Sequence, residues 1–478
     1  MTFQTLLDVA VAGTRRADPP AILPELATAG AERRLLRGAA YAGLRRLAGY
    51  VPEPAPRPIP TPSPLDTLPE VPAAAAARLP EILNEYPELL PEWLGCARAR
   101  GLRAPFVLLP RLIEHVRAHP ELLDQLASVG GRRLAWLAAR NPAWRFAAAS
   151  DPVESFETGA RVERARALRT IRSGGPARGR ALLEASWGGE SPEARETLLE
   201  SLMEGLSADD ERLLERGLRD PRKEVREVAL RLLRRIPASS FAQRWAGRAR
   251  ELVHVRRRLR GTRVEIRQID SFDPSWAHDG AEQRVPKGMN RTGWWLQQLL
   301  AFTPPDVWPS GILPALLASE WPDPLVAGLA QAAAAYRHAP WSAELIAAWA
   351  AAKDQRRRLP FDGAALLASL PPDQAEASLR RALDVDPATG PLLAAAWLHP
   401  WSQQFSLFFA QRLPVFRPLW GYAGRAPLAQ AALQLDPAVL PELRQLLERE
   451  QENAWDRHVL ERMVATVSYR GALRRDFQ

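Results

Sequence analysis

The chain has 478 residues, a formal net charge of +9 and an apolar content of 46%. That apolar content excludes global disorder, and the length allows several cores or one extended array. A single cysteine, Cys96, excludes a disulfide framework or a multi-cysteine zinc site within one chain.

The N-terminal MTFQTLLDVAVAGTRR has no basic start before its apolar run, so no signal peptide is expected. No apolar run approaches the roughly 18 residues of a membrane span. A soluble, cytoplasmic protein is the resulting expectation. Lysine occurs only at Lys223, Lys287 and Lys353; all other basic side chains are arginine. That bias fits a GC-rich genome as well as it fits phosphate recognition. The basic excess is local: residues 161–267 carry 26 Arg and Lys against 16 Asp and Glu.

Residues 1–50 read as an N-terminal helical segment. Leu6, Leu7 and Val11 fit one stripe, and Leu35, Leu36, Ala39, Ala40 and Leu44 a second. The following VPEPAPRPIPTPSPLDTLPEVP, 51–72, is a Pro-rich linker. Its alternating prolines exclude a helix and favour an extended polyproline tether, which also suits a proline-reading partner. Residues 73–160 read as helical repeats, cut into short helices at Pro80, Pro87, Pro91, Pro110, Pro120 and Pro142.

In residues 161–261, SPEARETLLESLMEGLSADDERLLERGLRDPRKEVREVALRLLRRIPAS (191–239) reads helix, turn, helix, turn, helix. Ser191 is the expected cap of the first helix. Ser207 caps the second, with Asp210 imitating a capping box, and Asp220-Pro221 opens the third. Val225, Val228, Ala229, Leu232 and Ile236 share one helical face. The basic strip that follows, RWAGRARELVHVRRRLRGTR, places Leu252, Val255 and Leu259 at helical spacing. Nine arginines lie between 244 and 267 against two glutamates: Arg244, Arg248, Arg250, Arg256, Arg257, Arg258, Arg260, Arg263 and Arg267. They are the candidate binding residues, for an acidic protein partner or for nucleic acid. Engaging about six phosphates would give a log–log salt slope near −5.

Residues 262–292 break the helical rhythm. RVEIRQI alternates like a short strand and the rest is turn-rich, an irregular insert of the kind that forms interfaces. Helical repeats resume over 293–478. There, HAPWSAEL from His338 and HPWSQQF from His399 repeat one phrase. Ser342 and Ser402 are the expected helix caps, and Trp341 and Trp401 the staples that fold back on the first turn. The paired phrase is therefore read as helix punctuation rather than as a histidine site.

LRDPRKEVREVALRLL resembles the second-helix signature of a HEAT repeat, with Asp220, Val225, Arg226 and Ala229 at the family's positions. The resemblance implies that Asp220 and Arg226 tie successive repeats together by hydrogen bonds. GGRRLAWLAARNPAW, the 185–220 segment, RTGWWLQQLL and HPWS are similar to segments of an uncharacterised family of bacterial HEAT-like proteins, a domain of unknown function. KGMNRTG stands where that family's glycine-glutamate-arginine run would be. Family genes often neighbour SWIM zinc-finger, MoxR-type AAA ATPase and von Willebrand A proteins, which implies a shared complex.

Other chemistry is thinly represented. His115 and His119 share a helical face beside Glu114, but two ligands do not make a metal site. Cys96 sits among small residues, beside Arg98 and Arg100. SGGPARGR, 173–180, lacks the GK[ST] ending of a phosphate loop. Asp270, Asp273 and Asp279 around Trp276 have the ingredients, not the motif, of a HEAT-like DNA glycosylase. The expected fold is all-α, an irregular right-handed HEAT-like α-solenoid of stacked helical hairpins. The expected function is a non-enzymatic scaffold, with no cofactor or metal. Its alternatives are a nucleic-acid binder and, third, a glycosylase.

Overall fold

The computed structural model describes residues 3–21, 27–49, 60–147, 151–258, 261–351, 361–386, 390–419, 425–449 and 454–478. The fold is all-α; the one named sheet among the described residues is a two-stranded antiparallel hairpin. The chain divides into two compact units, Met1–Ser63 and Pro64–Gln478. Residues 51–59 of the Pro-rich tether lie outside the described residues.

The first unit contains helices Phe3–Ala12 and Ala31–Ala48. Its buried stripe differs from the expected one: Leu6 and Val9 are buried, while Leu7, Val11, Leu36 and Leu44 are exposed. Two helices have little surface with which to cover each other's apolar positions.

In the second unit, prolines begin helices more often than they end them. Pro91, Pro110, Pro152, Pro192, Pro322 and Pro372 all sit in first turns, where the missing N–H has no helical partner to lose. Pro80 is the correction: it lies inside the continuous helix Ala73–Glu85. Leu79 and Ile82, both fully buried, hold that helix against the core across the missing hydrogen bond.

Helices Pro192–Glu200, Glu211–Leu218 and Lys223–Leu233 occupy the segment with HEAT-like spelling. Ser191 Oγ accepts from the Ala194 N–H at 3.2 Å. The third helix starts at Lys223, two residues later than Pro221 would have it. Asp220 Oδ1 instead accepts from the Arg222 N–H at 2.9 Å, holding Arg222 extended before the helix begins. The other carboxylate oxygen of Asp220 lies 2.9 Å from Arg195 Nε, on the first of the three helices, Pro192–Glu200. Arg226 donates to the carbonyls of Asp220 and Pro221, both at 2.8 Å, within its own turn. Val225, Val228, Ala229, Leu232 and Ile236 are all buried.

Beneath this segment lies a fully buried ion pair. Arg172 bonds both oxygens of Asp210, at 3.1 and 2.9 Å, and donates to the carbonyls of Pro176, Leu202, Glu204 and Gly205. Both side chains are 0% exposed. Asp210 also accepts from the Ser207 N–H at 3.1 Å, so its capping bond is one of several. A Cβ on Gly179 would sit 2.3 Å from Arg172 Cγ, which is why glycine fills that position of SGGPARGR.

Helices of this unit pack chiefly against neighbours one or two elements along the chain. Arg291–Phe302 lies on Pro322–Ala335, Ala339–Ala351 on Pro372–Val385, and Gly390–Ala396 on Arg425–Gln434, which packs on Ala454–Arg475. The crossing of the first pair is close, since a Cβ on Gly328 would meet the Gln297 carbonyl at 2.4 Å. Ala454–Arg475 then packs on Leu90–Ala99, so the unit's last helix meets one of its first. Leu473 and Phe477 join the core of residues 71–147, with Phe477 edge-on to Trp93 at 5.5 Å. Glu92 accepts from Arg470 Nε and Arg474 Nε, each at 2.7 Å, and Arg78 pairs with Asp476.

The two repeated phrases begin helices by different means. Ser402 caps Gln403–Arg412, its Oγ accepting from the Phe405 N–H at 3.1 Å, and the buried Trp401 packs on Phe405 and Phe409. Ser342 does not cap. Its helix already starts at Ala339, and His338 Nδ1 accepts from the Trp341 N–H at 3.2 Å in the capping role. Ser342 is buried inside the first turn and shares a 2.7 Å hydrogen bond with Ser369. Trp341, also buried, donates its indole N–H to the Pro305 carbonyl at 3.2 Å.

Candidate interaction surface

The arginine-rich strip does not continue as a helix. Ser240–Leu252 ends where β-branched residues accumulate, and the chain turns into a hairpin of β1 (Val253–Arg258) and β2 (Gly261–Ile266). Val253, Val255, Val264 and Ile266 alternate with the polar His254, Arg256, Arg263 and Glu265, a spacing of two that suits a strand with one covered face. Pairing runs from Val253 opposite Ile266 to Arg258 opposite Gly261. Val253 and Val264 are buried, and Val255 and Ile266 pack on the same core. The RVEIRQI strand thus forms, together with a partner strand that helical spacing of Leu252, Val255 and Leu259 had concealed.

The nine candidate arginines have three fates. Arg244 and Arg248 are committed internally. Arg244 contacts both oxygens of Asp279 and reaches Glu215 at 2.8 Å. Arg248 NH1 lies 2.7 Å from Asp279, and its guanidinium sits 4.6 Å over the Trp245 ring. Burial works to raise the Asp279 carboxyl, but the Arg244 and Arg248 hydrogen bonds and charges outweigh it and hold the group below the usual carboxylate range. Arg250, Arg256, Arg263 and Arg267 are exposed, Arg256 lying 3.5 Å from Glu265 across the hairpin. Arg257 and Arg258 belong to the backbone of β1, and Arg260 lies outside the described residues.

The insert locks this surface down. Asp273 caps the short helix Pro274–His278, accepting from the Ser275 N–H at 2.8 Å. Trp276 is buried edge-on to Trp245 at 5.6 Å and to Phe272 at 5.9 Å. Asp270 accepts from Gln268 at 2.7 Å. In KGMNRTG, Asn290 caps the next helix through the Thr292 and Gly293 N–H groups. The paired tryptophans follow it: Trp295 is buried, and Trp294 donates to the Glu282 carbonyl at 3.1 Å. Sequence reading missed the Asp279 ion pair; no motif marks an aspartate that meets arginines some thirty residues earlier in the chain.

The remaining candidates are dispersed. His115 and His119 stack at 4.6 Å, and burial followed by the neighbouring His119 charge pushes His115 down. His119 lies 3.3 Å from Glu121. No group of three His, Cys, Asp or Glu able to hold a metal occurs among the described residues. Burial, then the Glu92 charge, raises the Cys96 thiol, which disfavours the reactive thiolate. His338 pairs with Asp306 at 2.9 Å, whereas His399 bonds the Pro400 carbonyl and stacks on Trp397. No helix of the described residues is long and apolar enough to cross a membrane.

A family model described as a family of unknown function (DUF5691) matches residues 5–477. No curated protein and no solved structure matches the chain.

Proposed function

The chain belongs to this family of unknown function, and we propose that it is a non-catalytic scaffold or adaptor whose basic hairpin region engages an acidic protein partner. One observation carries this reading: Arg250, Arg256, Arg263 and Arg267 are exposed on a segment that the Asp279 ion pairs and the Trp245–Trp276 packing hold in place. A fixed array of charges selects a partner by complementarity. Of the three candidate glycosylase aspartates, Asp273 caps a helix, Asp279 is held by arginines and the exposed Asp270 accepts from Gln268; the commitment of the first two favours the non-catalytic role. The family's gene neighbours suggest the setting, an assembly built on an AAA ATPase with von Willebrand A or SWIM zinc-finger proteins.

Affinity purification of the intact protein from its host tests the proposal. A partner retained after nuclease treatment, and lost with Arg250→Glu plus Arg256→Glu, is the expected result. Retention of nucleic acid alone would sink it. A nucleic-acid role has its own signature: four exposed arginines on phosphates give a log–log salt slope of about −4.

A further inference from the structure

The hairpin has two edges, and they are not equivalent. Arg267 donates its N–H to the Leu252 carbonyl at 2.8 Å, which marks that pair as hydrogen-bonded. Alternation along an antiparallel ladder then gives His254–Glu265 and Arg256–Arg263 as the next bonded pairs. The backbone groups of Val253 and Val255 therefore point outward from β1, and those of Val264 and Ile266 outward from β2. The Val253 N–H closes the preceding helix on the Ala249 carbonyl. Val255 has no backbone partner outward of the hairpin among the described residues.

The surroundings of the two edges differ in charge and in access. Beyond β2 lies the helix Leu313–Leu317, and the cleft there, ≈ 320 Å³, is lined by Glu265 and Glu320 as well as Arg263. Beyond β1 a cleft of ≈ 330 Å³ runs between the strand and Trp308–Pro309; Arg250 and Arg256 line it, and among the described residues no carboxylate does. An unpaired strand edge templates another strand, and arginines beside it repel basic chains while attracting acidic ones.

We propose that the outer edge of β1 is a docking edge for an extended acidic segment of a partner protein, which adds as a third strand. Its backbone pairs with the outward groups of Val255, its acidic side chains meet Arg250 and Arg256, and intervening apolar side chains enter the cleft against Trp308. This rests on the adaptor reading and specifies its mode of contact.

The test uses the full chain and a fluorescein-labelled octapeptide of alternating Glu and Val, read by anisotropy at low salt. Saturable binding is expected, weakened about tenfold or more by Val255→Pro, which removes the outward N–H. Arg250→Glu plus Arg256→Glu should weaken it similarly. A peptide N-methylated at every residue keeps every charge but has no N–H to donate from either edge, and should bind about tenfold more weakly. That arm holds even if the proline variant misfolds. Equal binding of the N-methylated peptide, no saturation by millimolar peptide, or binding of a single-stranded oligonucleotide in place of the peptide overturns the docking edge. A natural partner that still co-purifies with Val255→Pro overturns it while leaving the adaptor role standing.

Discussion

Asp210→Asn isolates the buried ion pair, because the substitution keeps the side chain's shape and removes its charge. Arg172 and Asp210 are both wholly excluded from solvent. Removing one member of such a pair typically costs about 3–5 kcal/mol. Here four carbonyls remain on the Arg172 guanidinium, so the lower end, about 3 kcal/mol, is expected. The Asn amide would also present a donor to a donor, and Arg180 loses its 3.1 Å contact with Asp210. Replacing both partners, Arg172→Met with Asp210→Leu, should recover only part of the loss, since those carbonyls then lack donors. Urea denaturation supplies the global figure, and amide exchange locates it, with protection falling first over residues 199–214. A variant within about 0.5 kcal/mol of the parent, with unchanged exchange there, would refute the reasoning.

Three further outcomes follow from named groups. Arg337 holds a left-handed conformation (φ 54°) at a helix C-terminus closed by His338 N–H to the Ala333 carbonyl; Arg337→Gly should stabilise by about 0.5–1 kcal/mol in urea denaturation, net of its bond to the Ala368 carbonyl. Ser402→Ala removes a cap whose Oγ also donates to Glu376 at 2.6 Å, and should destabilise by about 1 kcal/mol or more on the same assay. Burial first, with the Glu81 contact, pushes Tyr469 up to about 12, against the bonding effect of Arg78. The neutral phenol therefore supports the closed ends fully below about pH 10, and that support is lost as pH rises toward 12. Tyr469→Phe should flatten this alkaline loss, measured as urea midpoint against pH.

The helical character of the chain was legible because proline position and apolar spacing are local signals. Ser191 and Ser402 cap as their neighbours suggest, and the face running from Val225 to Ile236 is buried as its period requires. The misreadings occur where distant groups decide. Val255 fits a helix spacing with Leu252 and Leu259 and a strand spacing with Val253, and only pairing with residues 261–266 resolves the choice. Ser342 has the spelling of a cap, yet the His338 ring takes the role because Asp306 holds it from another segment. Arg244 and Arg248 read as surface charge until Asp279 is placed beside them. Pro80 reads as a break, but tertiary burial of its neighbours outweighs its local cost.

Glu81 meets Tyr469, a residue 388 positions later in the chain. Most of the stacking between neighbouring helices can form as each emerges from the ribosome, but the face around Trp93 cannot be finished that way. At about 5–20 residues per second, it waits roughly 20–80 s for Leu473 and Phe477 to be synthesised. The growing chain therefore carries an apolar surface throughout the synthesis of everything between Trp93 and Phe477, and a stall within that stretch leaves the surface open to chaperones and proteases.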